Sequence, residues 1–198
     1  NKGDRFNIMM FSERPRLFSQ TIRPATNANF EAALKFLDDA TSSGATDVNA
    51  ALSRLLTRDL SQERVYNLIL ISDGRPTRGV MNTRDLINII TRDNDLNASI
   101  YCVGVGERAN RELLDFLAYR NKGFSVFVDD RRRVATEIRE LMSRLRYPLI
   151  KDVAFNVAGL DASTVFPRDL PNIHQNERFA IFGRYGEPVT FTIRMTGR

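Results

Sequence analysis

Two short segments carry the residue types that could do chemistry. One is Thr41-Ser42-Ser43-Gly44-Ala45-Thr46-Asp47, and the other runs from Leu68 to Thr77 and reads LILISDGRPT. Each places hydroxyl or carboxylate oxygens at a strand-to-helix corner. Hard oxygen donors of this kind suit magnesium, which takes near-octahedral oxygen ligands at roughly 2.0–2.1 Å and keeps several waters. The hydroxyl of Thr46 and the carboxylate of Asp73, at the end of an apolar strand-like run, would supply part of such a shell. Asp47, Ser72, Gly74 and Thr77 flank the pair and would shape its rim.

Competing readings belong beside each residue. Thr46 lies just before a helical pattern, so its hydroxyl could instead cap a helix starting near Asp47. Asp73 could accept N–H bonds from its own turn, although a carboxylate at the end of a buried strand is costly without compensation. Asp38-Asp39 resembles a carboxylate pair, but neighbouring helical residues point in different directions, and solvated helix surface is the expectation. Gly104-Val105-Gly106 follows a strand as a dinucleotide fingerprint would, with Ala109 at the third glycine's place. It comes late in the chain, which favours a tight turn. His174, the only histidine, sits in a Pro-rich stretch without a nucleophile in a recognisable arrangement, and reads as a surface residue. One histidine and one cysteine nearly exclude a structural zinc centre. The expectation is therefore no enzyme.

The elements that would position these residues are legible from periodicity. Strand-like runs cover Phe6 to Phe11, Leu17 to Ile22, Val65 to Ile71, Ser99 to Val105 and Phe124 to Val128. Apolar residues at helical spacing mark five helices: Phe30, Ala33, Leu34 and Leu37; Val48, Ala51, Leu52 and Leu55; Leu86, Ile89 and Ile90; Leu113, Leu114 and Leu117; and Val134, Ile138, Leu141 and Leu145. The runs 65–71 and 99–105 are nearly continuously apolar, as parallel strands covered on both faces would be. The pattern predicts an α/β fold, a Rossmann-like open sheet with helices on both faces. After Tyr147 the period changes to alternation: Val153, Phe155 and Val157; then Phe179, Ile181 and Phe182; then Val189, Phe191 and Ile193. Glycines and prolines punctuate it. Residues 1–147 are read as the α/β domain and residues 148–198 as a small, incomplete β module, with 189–195 a candidate exposed edge.

Taken in order, these motifs resemble a von Willebrand factor type A domain. The quoted stretches are GDRFNIMMFS at Gly3 to Ser12, the Thr46 segment, the Ser72-Asp73-Gly74 turn and IYCVGVG at Ile100 to Gly106. PLIKDV from Pro148 and IFGRY from Ile181 are similar to the inter-alpha-trypsin-inhibitor heavy-chain branch and its bacterial relatives. The resemblance implies a metal-ion-dependent adhesion site in which Thr46 and Asp73 are ligands and magnesium is the cofactor. It also implies a protein ligand as partner. The family's Asp-x-Ser-x-Ser motif and first strand are absent, and the chain opens on Asn1, so an excised piece of a longer protein is expected. In the family that strand lies mid-sheet, which predicts an incomplete sheet filled by a swapped segment, a partner chain or a rearrangement. Self-association through exposed strands is the alternative function.

Composition bounds the rest. The 198 residues are 42% hydrophobic and 27% charged, ordinary for a globular chain. The net charge of +5 is carried mostly by scattered arginine, so nucleic acid is not an expected partner. Arg131-Arg132-Arg133 is the one run, behind Asp129 and Asp130, which can cap a helix there. No apolar run approaches the roughly 20 residues that cross a bilayer, so no membrane insertion is expected in this segment. Cys102 alone excludes an internal disulfide and reads as a small buried residue. A secreted, periplasmic or cell-surface location is implied by the resemblance.

Overall fold

The computed structural model describes residues 3–12, 15–40, 45–56, 64–175 and 179–198. The expectation placed on Thr41 to Gly44 lies outside the described residues. The chain divides into two compact units, Asn1–Asp59 with Gly74–Asp95, and Leu60–Asp73 with Leu96–Arg198.

The first unit begins with four short strands, β1 Arg5–Phe6, β2 Met9–Met10, β3 Arg16–Leu17 and β4 Arg23–Pro24. They form two antiparallel pairs, β1 with β4 and β2 with β3. The two longer strands expected over 6–11 and 17–22 are thus each broken. Asn7 is the physical reason. Its Oδ1 accepts from Ile8 N at 2.9 Å and Ser19 N at 3.2 Å, and its Nδ2 donates to Ser19 O at 2.8 Å. A side chain that satisfies the backbone locally displaces ladder bonds. Phe6 stacks on Phe18 at 5.8 Å and meets Phe30 at 5.1 Å, joining these strands to helix α1, Asn27–Asp38. Thr26 caps α1, its side chain accepting from Asn29 N. Asp38 and Asp39 at its far end are exposed, as expected. Helix α2, Val48–Leu56, buries Val48, Ala51, Leu52 and Leu56, and packs against α3, Thr83–Arg92, which buries Leu86, Ile87 and Ile90.

The second unit is built on a parallel three-stranded sheet, ordered β5 (Asn67–Ser72), β6 (Ser99–Val105), β7 (Ser125–Val128). In β6 every residue from Ser99 to Gly104 is buried. Tyr101 and Val103 pack in one cluster with Leu141 of α5, Val134–Arg144, and with Leu145 at its C-cap, while the opposite face lies on α4, Arg111–Arg120. Gly104 reports how tight that second face is. A Cβ there would stand 2.4 Å from a Phe127 ring carbon and 3.0 Å from Leu114 Cδ1. Helices therefore cover both faces of a parallel sheet, and the Rossmann-like α/β fold is as the periodicity implied. In β5, however, only Leu70 is buried and Ile71 is 44% exposed. Among the described residues β5 pairs only with β6, and its side chains are less covered than those of a strand expected to have helices on both faces.

Beyond α5 come β8 (Pro148–Ile150), β9 (Ala154–Ala158), β10 (Ile173–His174) and β11 (Thr192–Thr196), within the second unit. They pair antiparallel as β10 with β8 and β11 with β9. The run 179–182 makes one bridge, Phe182 to Phe166, rather than a strand; Gly183 and Gly186 follow it. His174 corrects an expectation. It is 1% exposed on β10, not a surface residue, because that strand's pairing turns it inward.

Candidate functional site

The loop before α2 and the loop after the Ser72-Asp73-Gly74 turn meet within the first unit. Thr77 N and Arg78 N both donate to Thr46 O, at 3.0 and 3.2 Å, and Thr46 N donates to Thr77 Oγ1 at 2.8 Å. Thr46 is thereby held through its main chain, and its own hydroxyl takes no part in these three bonds. Asp47, rather than Thr46, caps α2: its Oδ1 accepts from Ala50 N at 2.9 Å. The cap satisfies one of the orphan N–H groups of the first turn.

Gly79 completes the clasp and was not singled out from sequence. Its φ is +73°, and a Cβ would stand 2.6 Å from Asp47 Oδ2, so only glycine lets the turn approach the carboxylate this closely. The available signal was the Arg75-Pro76-Thr77-Arg78-Gly79 turn composition. Gly74, also in the first unit, has φ +66° and is buried.

Ser72 and Asp73 fall in the second unit, Ser72 as the last residue of β5. The main-chain O of Asp73 accepts from Asn110 N at 2.7 Å, and the Asn110 side chain accepts from Leu113 N to cap α4. The position of Asp73 just past β5 is thus anchored to the start of α4. Its side chain is exposed rather than buried, so the desolvation cost expected for a strand-end carboxylate does not arise.

Gly104 lies inside β6, opposite Ser72 and Phe127, and is not part of a phosphate loop. Gly106, at φ +94°, donates N–H to Val128 O and accepts from Ala109 N, which is the tight turn favoured from sequence. Asp130 caps the short turn of Arg131–Arg133 by accepting from Arg132 N, and the Arg132 guanidinium bonded to it, with that backbone bond second, holds its carboxyl below the usual range. Cys102 is wholly buried. Burial, with a smaller contribution from Asp115, pushes its thiol up from 9.0 to about 12.

A family model of the von Willebrand factor type A domain matches residues 1–127. The chain belongs to that family. This domain is 22% identical over 190 residues to the inter-alpha-trypsin inhibitor heavy chain H2 of Mesocricetus auratus, covering 92% of this chain and 20% of the relative. It is 25% identical to a von Willebrand factor A domain-containing protein of Dictyostelium discoideum, covering 94% of this chain and 9% of that one. The chain thus spans a fifth or less of the curated relatives it matches. In fold it is similar to a von Willebrand factor type A structure from Catenulispora acidiphila, at a TM-score of 0.73 and 17% identity, over 98% of this chain and 49% of that one. Domains of this family typically serve protein–protein interaction or adhesion.

The type A family raises the question of a metal. Among the described residues no group of three or more His, Cys, Asp or Glu is placed to hold an ion. Thr46 and Asp73 contribute one hydroxyl and one carboxylate, and the Asp47 carboxylate is engaged as a helix cap. One hydroxyl and one carboxylate do not amount to the oxygen shell that magnesium takes. No helix among the described residues is long and apolar enough to cross a membrane.

Proposed function

We propose that this type A domain is a non-catalytic recognition module that binds a partner protein through the loops carrying Thr46 and Asp73. The observation that carries the reading is the main-chain clasp between Thr46 and Thr77, which fixes the Thr46 position without using its hydroxyl. With the Asp-x-Ser-x-Ser motif supplied, Thr46 and Asp73 would act as magnesium ligands, and a partner carboxylate would take the open position. Asp47, Ser72, Gly74 and Thr77 form the rim that sets specificity. A secreted, periplasmic or cell-surface setting suits such a role. In a chain carrying the motif, Asp73→Ala is expected to abolish magnesium-dependent partner binding while far-UV circular dichroism stays unchanged. Binding that survives the substitution would sink the adhesion-site reading.

A second reading has its own observation. Val189, Phe191, Ile193 and Met195 are 41–51% exposed, and the outer edge of β5 has no strand partner among the described residues. Exposed strands of this kind invite pairing with another chain. In this reading the domain is an assembly module and metal is incidental. Size-exclusion chromatography with light scattering separates the two: a dimer that persists in chelator supports assembly, and a monomer in both conditions removes it.

A further inference from the structure

Strand β7 is a free edge of the parallel sheet in the second unit: among the described residues it pairs with β6 alone. Its main chain divides by residue. Phe124 O accepts from Cys102 N at 3.1 Å and Val128 O from Gly106 N at 2.9 Å, so this phase of the strand faces β6. Main-chain groups alternate in direction along a strand, and those of Ser125 and Phe127 therefore point away from β6. N–H and C=O groups left in that arrangement are a template for a further strand.

Helix α4 runs beside this edge and sets a charge at each outward residue. Arg111 stacks on the Phe127 ring, 4.4 Å from its centroid, and Asp115 accepts from the Ser125 hydroxyl. Four-residue spacing puts Arg111, Asp115 and Tyr119 on one face of the helix. At Asp115 an open groove begins, about 450 Å³ in volume, lined also by Phe116, Tyr119, Gly123, Phe124 and Ser125. Phe116 and Tyr119 are each 53% exposed, and Asp115 is the one charged residue in the lining. The Ser125 hydroxyl is neutral, so the carboxylate keeps its charge. Arg111 meets Asp129 through Nη2 at 3.5 Å, with both side chains more than half exposed. A surface contact of that kind contributes little and leaves the rest of the guanidinium fork to bond elsewhere.

We propose that β7 is a dimerisation edge, pairing antiparallel with β7 of a second copy about a two-fold axis at Val126. In that register Ser125 of each chain stands opposite Phe127 of the other, and their outward N–H and C=O groups close reciprocal hydrogen bonds. The charges fix the register. An axis at Ser125 sets Asp115 against Asp115, and an axis at Phe127 sets Arg111 against Arg111. Like charges placed opposite are destabilising, and the axis at Val126 instead brings each Arg111 to the other chain's Asp115. It also brings the Phe127–Arg111 stack of one copy to the mouth of the other's groove. Aromatic rings beside a carboxylate suit a ring that carries a guanidinium. The contact is isologous, as a closed dimer requires. The inference rests on the assembly reading and names its edge, which is neither the outer edge of β5 nor the 189–195 run.

Sedimentation velocity of the 198-residue chain over a concentration series, in chelator, tests this. The unsubstituted chain is expected to dimerise, and the amides of Ser125 and Phe127 to exchange at least tenfold more slowly in the dimer than in the monomer. Asp115→Arg and Arg111→Asp each set like charges across the axis. Each is expected to weaken dimerisation at least tenfold while far-UV circular dichroism stays unchanged. Mixing the two variants restores opposite charges at both contacts, and a heterodimer is expected. A dimer that neither variant weakens overturns the inference and leaves assembly to another edge. A mixture that stays monomeric overturns it as well. An unsubstituted chain that is monomeric at every concentration removes this inference and the assembly reading together.

Discussion

Strand β6 and helix α1 carry equally clear apolar patterns and meet different fates. In β6 the continuous apolar run is covered on both faces, with α5 on one side and α4 on the other. In α1 the stripe of Phe30, Leu34 and Leu37 is 45%, 61% and 41% exposed, and Ala33 alone is buried. A periodic pattern states what cover a segment requires, and the cover must come from somewhere. Strand β5 lies between these cases, paired with β6 on one edge and unpaired on the other among the described residues.

The largest expected effect sharpens this contrast. Leu114, fully buried on α4, should lose about 2–5 kcal/mol on substitution by alanine. Leu34→Ala on α1 should change stability by no more than about 0.5 kcal/mol, as exposed substitutions do. Urea denaturation of both variants measures the difference. A cost above about 2 kcal/mol at Leu34 would mean that the α1 stripe is covered in solution, by a partner or by a second copy.

A smaller effect is expected at the clasp. Gly79→Ala forces a left-handed backbone on a residue with a side chain and presses on the Asp47 carboxylate. It should cost about 1 kcal/mol or more. Asp47→Ala removes the α2 cap and should cost about 1 kcal/mol, most of it restored by Asp47→Asn, which also caps. If both variants denature like the parent, the loop does not hold Thr46 as described.

The buried thiol of Cys102 gives a pH-dependent signature of β6. Its folded pKa lies above its ordinary value, so the unfolded chain releases this proton first as pH rises. The Cys102 contribution to stability should be intact below pH 9.0 and decline as pH approaches about 12. Cys102→Ala should remove that part of the alkaline slope. Native protein at pH 8 should also resist alkylation until denaturant is added, whereas rapid native labelling would contradict burial of β6.

Much of this architecture was legible in the sequence because it is local. All five helices fall where the 3.6-residue period puts them, and β6 matches its expected bounds. What escaped was set by single side chains acting across the chain. Asn7 bonds to Ser19 and splits two expected strands. Asp47, not Thr46, became the cap, since a carboxylate one residue later reaches Ala50 N. His174 was read as surface because its neighbours are prolines and polar residues; its burial follows from a strand pairing that no local pattern announces. For the candidate site, residue types and order pointed to Thr46 and Asp73, whereas the Thr77 bonds and the fit of Gly79 against Asp47 depend on tertiary approach.

The most direct test of the recognition site is a magnesium titration of the isotopically labelled chain, followed by amide chemical shifts, with calcium-free buffer and a chelator reversal. With the Asp-x-Ser-x-Ser motif supplied in the chain, millimolar magnesium is expected to perturb the amides of Thr46, Asp47, Asp73, Gly74 and Thr77, and Asp73→Ala to abolish those shifts. Shifts that are absent throughout, or that persist unchanged in Asp73→Ala, would contradict a cation-dependent site at these loops.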